Sequence, residues 1–168
     1  MAEATGAWLP AYVGIGSNLG DSCARVQEAF AALAALPDTR LVARSRLYRT
    51  RPFGGVPQDD FINAVAGLLT QLSATALLQA IRGIEQAAGR VRAERWGPRT
   101  LDLDLLVLGD VRIESPELNV PHPGIAERGF VLAPLHDIAP TLDVPGVGRV
   151  EVLLRQLEDP GIEAVLDA

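Results

Sequence analysis

The order in which apolar periodicity changes along the first 108 residues limits the folds open to this chain. Segments that alternate apolar and polar positions predict strands, whereas apolar residues three and four apart predict helices. The predicted elements are a strand at 8–15, a helix after Asp21, strands at 40–50 and 61–72, a helix after Ser73, and a strand at 101–108. This β-α-β-β-α-β order predicts an α+β protein: a ferredoxin-like sandwich with an antiparallel sheet, helices on one face, additional strands and C-terminal helical pieces.

The last of these strands follows an arginine-rich loop and carries two aspartates, Asp102 and Asp104. Side chains two apart on a strand share a face and lie roughly 6–7 Å apart, so two carboxylates there can share divalent cations. Arginines beside them can hold phosphate oxygens in bidentate fashion. This combination predicts a polyphosphate–metal site, because Mg²⁺ takes one or two carboxylates together with substrate phosphates. Four arginines fall within ten residues of the loop: Arg90, Arg92, Arg95 and Arg99.

The same residues allow a plainer interpretation, in which the aspartates are the wet face of a half-buried strand and the arginines an ordinary solvated loop. Two observations favour the metal site. The face that bears the aspartates continues into Leu106 and Leu108, so it is not simply a solvent face. The density of arginine is also hard to explain by solubility, because the protein as a whole is acidic.

The charge of the chain excludes several classes of protein. A net charge of −6 and a pI near 4.9 argue against nonspecific binding to nucleic acid or anionic membranes. All 15 basic residues are arginines. Without lysine, the P-loop and protein-kinase architectures are excluded, because both place a lysine on the nucleotide phosphates.

The 168 residues suffice for one domain with its own core, with a loose leader at 1–7 and a loose tail at 160–168. The single Cys23 cannot form an internal disulfide, which suits a reducing compartment. It lies in a segment with a helical apolar pattern, which favours a core position over a role as nucleophile. The N-terminus lacks the basic residues of a secretory signal, and no apolar run reaches the ~18 residues of a membrane span. We therefore expect a cytoplasmic location, and we also expect a monomer.

Residues 14–21 read GIGSNLGD and resemble a dinucleotide-binding turn. Leu19 stands where that motif has its third glycine, so a plain strand-to-helix turn is favoured, with Asp21 or Ser22 as the helix cap. The ten residues 51–60 contain two prolines and two glycines, and loops of this length are often functional lids.

Two further residues keep two interpretations each. Glu85 lies one turn before the arginine loop and is either a surface residue or faces the site. His122 is held between Pro121 and Pro123 and is either structural or a phosphate contact.

Residues 95–106, RWGPRTLDLDLL, resemble the signature of the 6-hydroxymethyl-7,8-dihydropterin pyrophosphokinase family. The resemblance extends over about residues 12–140. It implies a ferredoxin-like fold and a reaction in which pyrophosphate passes from ATP to the hydroxymethyl group of a reduced pterin, releasing AMP, in folate biosynthesis. Shorter pieces match in family order: GSNLGD at 16–21, YRT at 48–50, FINA at 61–64, Glu85 with GRVR at 89–92, and PHP at 121–123 with RGFVL at 128–132.

The resemblance also implies which residues form the site. Asp102 and Asp104 would hold two Mg²⁺ that bridge the ATP phosphates, and Arg90 and Arg92 would close over the triphosphate. ATP contacts are implied for Glu85, Arg92, Trp96, Arg99, Leu105, His122 and Arg128. Pterin contacts are implied for Thr50, Phe53, Phe61, Asn63, Trp96, Asp102 and Phe130.

Three positions depart from some family members. Arg51 stands where they have proline, the loop around Arg95 is one residue shorter, and Pro123 stands where they have an aromatic residue.

Two other functions stay open on the residues alone. A metal-dependent phosphohydrolase would use the same aspartates and arginines but would not need a pterin. An RRM-like nucleic-acid-binding module would need a basic surface and exposed sheet aromatics, whereas this chain is acidic and 5% aromatic.

Overall fold

The computed structural model of this protein describes residues 4–52, 57–89 and 101–166. None of the helices in these ranges is long and apolar enough to cross a bilayer. The elements are β1 (Ala4–Ser17), α1 (Ser22–Ala34), β2 (Thr39–Arg44), β3 (Leu47–Thr50), β4 (Phe61–Leu72), α2 (Ala74–Ala87), β5 (Asp102–Leu108), β6 (Ile113–Glu114), β7 (Asn119–Val120), a 3-10 turn (Ile125–Glu127), α3 (Gly129–Ile138), β8 (Asp143–Val144), β9 (Gly148–Arg149), α4 (Val150–Gln156) and β10 (Ile162–Leu166).

The central sheet contains six of the described strands, and every pairing in it is antiparallel. Its order is β10-β3-β4-β1-β5, and β2 pairs with β4 further along from β3. The sequence predicts β2 and β3 as one strand. The interruption lies at Ser45, whose hydroxyl takes the place of a ladder carbonyl and accepts a hydrogen bond of 2.8 Å from the N–H of Val65.

Helices cover both faces of this sheet, whereas the sequence predicts them on one face. Side chains of β4 divide the core: Ala64 packs with α1 and α2, and Val65 packs with α3 and α4. The second face is covered because α3 is itself strongly apolar, with Leu132 and Leu135 fully buried. The protein is thus a mixed α+β structure with two apolar layers, one on each side of the sheet.

α3 is attached to the start of β3 by a polar network. The Tyr48 hydroxyl donates a hydrogen bond of 2.7 Å to a carboxylate oxygen of Asp137. The Arg46 guanidinium donates to both oxygens of the same carboxylate, at 2.9 and 3.1 Å. These bonds join the C-terminal end of α3 to the sheet and so help to fix the helix over this face.

Both predicted helix starts are confirmed. The Asp21 carboxylate accepts a hydrogen bond of 3.1 Å from the N–H of Ala24, and the Ser73 hydroxyl accepts one of 3.1 Å from the N–H of Ala76. Each cap satisfies an N–H group that has no partner within its helix. β4 has the predicted bounds, Phe61–Leu72.

Both ends of the described chain are attached more firmly than the sequence predicts. Ala4 already pairs with Leu72, because a register irregularity that includes Gly6 at φ +85° lets β1 continue past the predicted start. The tail forms β10 on the free edge of β3, and Leu166 packs against the core. The predictions of a loose leader and a loose tail are therefore wrong for residues 4–7 and 162–166.

Cys23 is exposed on α1, so the prediction of a core position is wrong. The buried stripe of this helix contains Val26, Phe30 and Leu33. Cys23 lies three residues before Val26 but outside that stripe.

The strand that carries the two aspartates contains a β-bulge. Its register against β1 shifts by one residue at Leu106. An extra residue in one strand disturbs the alternation of faces. Leu106 consequently packs with α3, on the face of the aspartates, whereas Leu108 packs in the opposite layer. The predicted aspartate face therefore continues to Leu106 but not to Leu108.

Candidate active site

Three neighbouring strands place polar side chains around two glycines on the sheet face covered by α3. Gly16 of β1 pairs with Asn63 of β4 on one side and with Asp102 of β5 on the other. Gly14, two residues earlier, pairs with Asp104. Because directly paired residues point to the same face, Asn63 and both aspartates rise beside a floor that has no side chains of its own.

Two open cavities adjoin the aspartates, and Gly14 and Gly16 line only the first. Counting their open mouths, the first spans about 720 Å³ and the second about 930 Å³. The side chains that characterise the first are Thr50, Arg51, Phe61, Asn63 and Phe130. Those that characterise the second are Arg82, Glu85, Glu117 and His122. Both cavities are lined by Asp102, Asp104 and Arg128.

A buried amide fixes the floor of the first cavity. The side-chain amide of Asn63 donates a hydrogen bond of 2.7 Å to the hydroxyl of Thr50, and both residues are buried. A Cβ built on Gly16 would lie 2.7 Å from Oδ1 of Asn63, which is closer than atoms approach. Glycine at position 16 therefore allows Asn63 to keep this orientation.

Glu85 faces the site, which decides between its two interpretations. The residue is only 5% exposed, and its carboxylate accepts a hydrogen bond of 2.8 Å from the N–H of Leu103. Leu103 separates the two aspartates on β5. The carboxylate thus contacts the backbone of the strand that carries them and lines the second cavity.

His122 is fixed by its neighbours and is neutral at pH 7. Its Nδ1 accepts a hydrogen bond of 3.1 Å from the backbone N–H of Gly124, and the backbone N–H of His122 donates one of 2.9 Å to the carbonyl of Leu106. Burial and the nearby Arg128 guanidinium lower the pKa of His122 to about 4, although Asp102 acts in the opposite direction. Since Nδ1 accepts, the ring proton of the neutral imidazole is on Nε2.

The family model for 7,8-dihydro-6-hydroxymethylpterin-pyrophosphokinase matches residues 12–140. The chain belongs to this family.

Curated relatives and solved structures agree with this assignment. The 2-amino-4-hydroxy-6-hydroxymethyldihydropteridine pyrophosphokinase of Methylorubrum extorquens is 45% identical over 155 residues, which are 92% of this chain and 98% of the relative. The Pseudomonas aeruginosa protein of the same name is 47% identical over 152 residues, 90% and 94% of the two chains. The crystal structure of Plasmodium falciparum HPPK-DHPS with pterin and p-hydroxybenzoate matches with a TM-score of 0.69 at 15% identity, which supports the fold alone. That match covers 91% of this chain but 43% of the Plasmodium chain.

The structure brings together most of the residues that the pyrophosphokinase resemblance implies. Leu105 also lines the second cavity, although its side chain is buried in the layer below. Five of the implied site residues lie outside the described ranges: Phe53, Arg90, Arg92, Trp96 and Arg99. The neighbouring Arg95 lies outside them as well.

Several cavity residues were missed in the sequence. Arg82 lies three residues before Glu85 on α2, so helical spacing alone would have placed it on the same face. Gly14 and Gly16 share one face of a strand, and such glycines often mark a close approach of another group. Arg51 was assigned only to the loop, and no local pattern places it at the cavity.

Residues 14–21 form the predicted strand-to-helix turn. The same turn contacts residues 58 and 59 through Asn18. The Asn18 side-chain amide donates hydrogen bonds of 2.8 Å to Oε1 of Gln58 and 2.9 Å to the carbonyl of Asp59. Asn18 is buried, and both bonds are partly buried. Gln58 and Asp59 are thereby attached to the turn between β1 and α1.

The donor set fits Mg²⁺ of the kind that binds with substrate phosphates. Within the described ranges, no group of three or more His, Cys, Asp or Glu side chains could form a metal site from protein alone. Asp102 and Asp104 provide two carboxylates on one face, and Mg²⁺ in nucleotide sites typically takes one or two carboxylates, with phosphate and water oxygens for the rest.

Proposed function

We propose that this chain transfers pyrophosphate from ATP to the hydroxymethyl group of 6-hydroxymethyl-7,8-dihydropterin where the two cavities meet. Membership of the pyrophosphokinase family carries the reaction, its co-substrate ATP and its place in folate biosynthesis. The observation that supports this location is that Asp102, Asp104 and Arg128 line both cavities. Transfer between two substrates needs such a junction, because the reacting atoms must be held about 3–3.5 Å apart.

The first cavity suits the pterin. Phe61 and Phe130 line it and would stack on a flat ring. An aromatic pair of this kind is worth about 0.5–1.5 kcal/mol beyond area burial. Since the Asn63 amide donates to Thr50, its carbonyl oxygen is oriented to accept a hydrogen bond from a ring N–H or amino group. Backbone near Thr50 and Phe53 would contact the edge of the ring.

The second cavity suits the nucleotide. Arg82 and Arg128 supply positive charge for phosphate oxygens. His122 would donate its Nε2–H to a phosphate oxygen. Glu85 repels phosphate, so it would instead accept a hydrogen bond from a hydroxyl or amino group of the nucleoside.

Asp102 and Asp104 are the residues that would hold Mg²⁺, with two ions implied by the family resemblance. Bound Mg²⁺ offsets the charge that develops on the phosphate oxygens. Asp102 also lines the pterin cavity, where it would orient the acceptor hydroxyl. The hydroxyl oxygen would bond to the β-phosphorus of ATP. The bond between that phosphorus and the oxygen shared with the α-phosphorus would break, and this oxygen would leave with AMP. The products are the pterin pyrophosphate, AMP and one proton.

The arginine loop would complete the site. Arg90 and Arg92 would close over the triphosphate, Arg99 would contact phosphate, and Trp96 would cover the bound substrates. These roles rest on the family resemblance and on the position of the loop immediately before β5. Closure of this kind excludes water, which favours transfer to the pterin over hydrolysis.

We further propose that the central sheet is a ferredoxin-like core and that the chain works as a single-domain monomer in the cytoplasm. With β2 and β3 counted as one interrupted strand, the chain order from β1 to β5 is β-α-β-β-α-β. The order of strands across the sheet then becomes β5, β1, β4 and the interrupted strand. An RRM-like nucleic-acid module is disfavoured, because α3 covers the sheet face on which such modules stack bases.

Analysis of the nucleotide product tests the proposed reaction. The protein is incubated with ATP and Mg²⁺, with and without 6-hydroxymethyl-7,8-dihydropterin, and AMP, ADP and phosphate are separated by anion-exchange chromatography. We expect AMP in stoichiometric amounts with pterin pyrophosphate, and only when the pterin is present. ADP, or phosphate release that does not depend on the pterin, would instead identify a phosphohydrolase.

A further inference from the structure

A short C-terminal segment, residues 159–163, joins the end of β3 and is called the bridging segment below. The carbonyl of Gly161 accepts a hydrogen bond of 3.1 Å from the N–H of Arg51. Ile162 pairs with Thr50 in the register of β10 with β3. Because Thr50 and Arg51 line the first cavity, the bridging segment supports the wall that the sheet contributes.

The bridging segment also contacts the wall that α3 contributes. A Cβ built on Gly129 would overlap the carbonyl oxygen and Cα of Pro160, so only glycine permits this approach. Phe130 and Val131, the next two residues of α3, line the first cavity. The segment is therefore in contact with both walls and limits how closely they approach each other.

Two carboxylates of the bridging segment hold the side chain of Arg51. Its guanidinium donates hydrogen bonds to Asp159 and, at 3.1 Å, to Glu163. Asp159 also accepts a hydrogen bond of 2.9 Å from the N–H of Gly161, which stabilises the turn into β10. Arg51 thus lines a cavity that is proposed to take an uncharged ring. Its positive charge is offset by the carboxylates of Asp159 and Glu163, which contact it from the solvent side.

We propose that the bridging segment positions the pterin cavity, with Asp159 and Glu163 holding Arg51 at its rim and Pro160 setting the distance between β3 and α3. The inference rests on the proposed function of that cavity. It assigns a role in acceptor binding to residues far in sequence from the family signature. The second cavity is not lined by Arg51 or by the bridging segment, so nucleotide binding is expected to be independent of them.

The expected effect is moderate and depends on salt. The Arg51 and Asp159 side chains are more than half exposed, and solvent weakens ion pairs at such positions. Loss of both pairs is expected to raise the KM for the pterin by about three- to tenfold. The pterin KM of the wild-type protein is likewise expected to rise with NaCl, and that of a variant without the pairs to change little.

The test compares Asp159→Asn/Glu163→Gln with the matched double variant Asp143→Asn/Glu151→Gln. The second pair of carboxylates also flanks one exposed arginine, Arg149, which lines neither cavity. KM for the pterin at saturating ATP, KM for ATP, and kcat are measured for each. We expect only the first variant to raise the pterin KM, with the ATP KM and kcat within about twofold of wild type.

A second variant acts on the backbone contact. Gly129→Ala is expected to raise the pterin KM, whereas Gly83→Ala, whose Cβ would meet no atom within 4 Å, is not. If Gly129→Ala does not fold, the carboxylate variant alone decides. An unchanged pterin KM in Asp159→Asn/Glu163→Gln, or an equal rise in its ATP KM, overturns the inference. Wild-type protein that forms no pterin-dependent AMP overturns the proposed function instead.

Discussion

Glu85 accepts a hydrogen bond of 2.8 Å from the backbone N–H of Leu103, the residue between the two aspartates of β5. Among the described strands, β5 pairs in the central sheet only with β1, so its outer edge presents N–H groups without a strand partner. A carboxylate on α2 satisfies one of them in a buried position. α2, which lines the second cavity, is thereby joined to the strand proposed to hold Mg²⁺.

Removal of the Glu85 carboxylate is expected to destabilise the fold. A buried N–H left without an acceptor costs about 1–3 kcal/mol, so Glu85→Ala should lower the free energy of unfolding by about that amount in urea denaturation. Glu85→Gln keeps an oxygen acceptor and should lose less. Glu28→Ala, at an exposed position of α1, is the control and should stay close to wild type. Equal stability of Glu85→Ala and wild type would contradict a stabilising role for this bond.

The two aspartates are expected to be essential for transfer and dispensable for folding. Asp102→Asn and Asp104→Asn should each lower kcat/KM by at least about a hundredfold, because phosphoryl-type transfer depends on positioning and on charge offset by the metal. Circular dichroism and thermal melting should show a folded protein in both cases. Asp143→Asn, in β8, is the control. Full activity in either site variant would exclude metal binding by this pair.

Gly16→Ala is expected to impair pterin binding selectively. The new Cβ would lie 2.7 Å from Oδ1 of Asn63 and would have to displace the amide that is held by Thr50. We expect kcat/KM for the pterin to fall by at least about tenfold. Gly14→Ala is the matched comparison, because its Cβ would make an ordinary contact of 3.5 Å with Leu106. Equal effects of the two changes would mean that displacement of Asn63 is not the cause of the loss.

Local patterns in the sequence were enough to place the central elements. The period-two alternation that predicts β5 also predicts that Asp102 and Asp104 share a face, and both line the same cavities. The caps at Asp21 and Ser73 follow from residue type and from the apolar run that comes next. Such features are predictable because they depend on residues within one or two turns of each other.

The features that were missed depend on contacts between distant residues. The bulge at Leu106 is a matter of register between strands, and nothing in its own strand marks it. β10 exists because β3 leaves an edge to which it can pair, more than 110 residues earlier in the chain. Position 129 requires glycine because it packs against Pro160, and not because it forms a turn. Local periodicity carries no information about such partners.

His122 is expected to make stability fall on mild acidification. Burial and Arg128 lower its pKa to about 4 in the folded protein, against an ordinary value near 6.5 in the unfolded chain. Between these two values the unfolded chain binds a proton at His122 that the folded protein does not. The contribution of His122 to the free energy of unfolding is therefore complete above pH 6.5 and is lost as the pH falls towards 4. His122→Asn lacks this group, and its free energy of unfolding should therefore fall less than that of wild type between pH 7.5 and 5, measured by urea denaturation. Identical falls in the two proteins would mean that His122 binds its proton equally well in the folded and unfolded states.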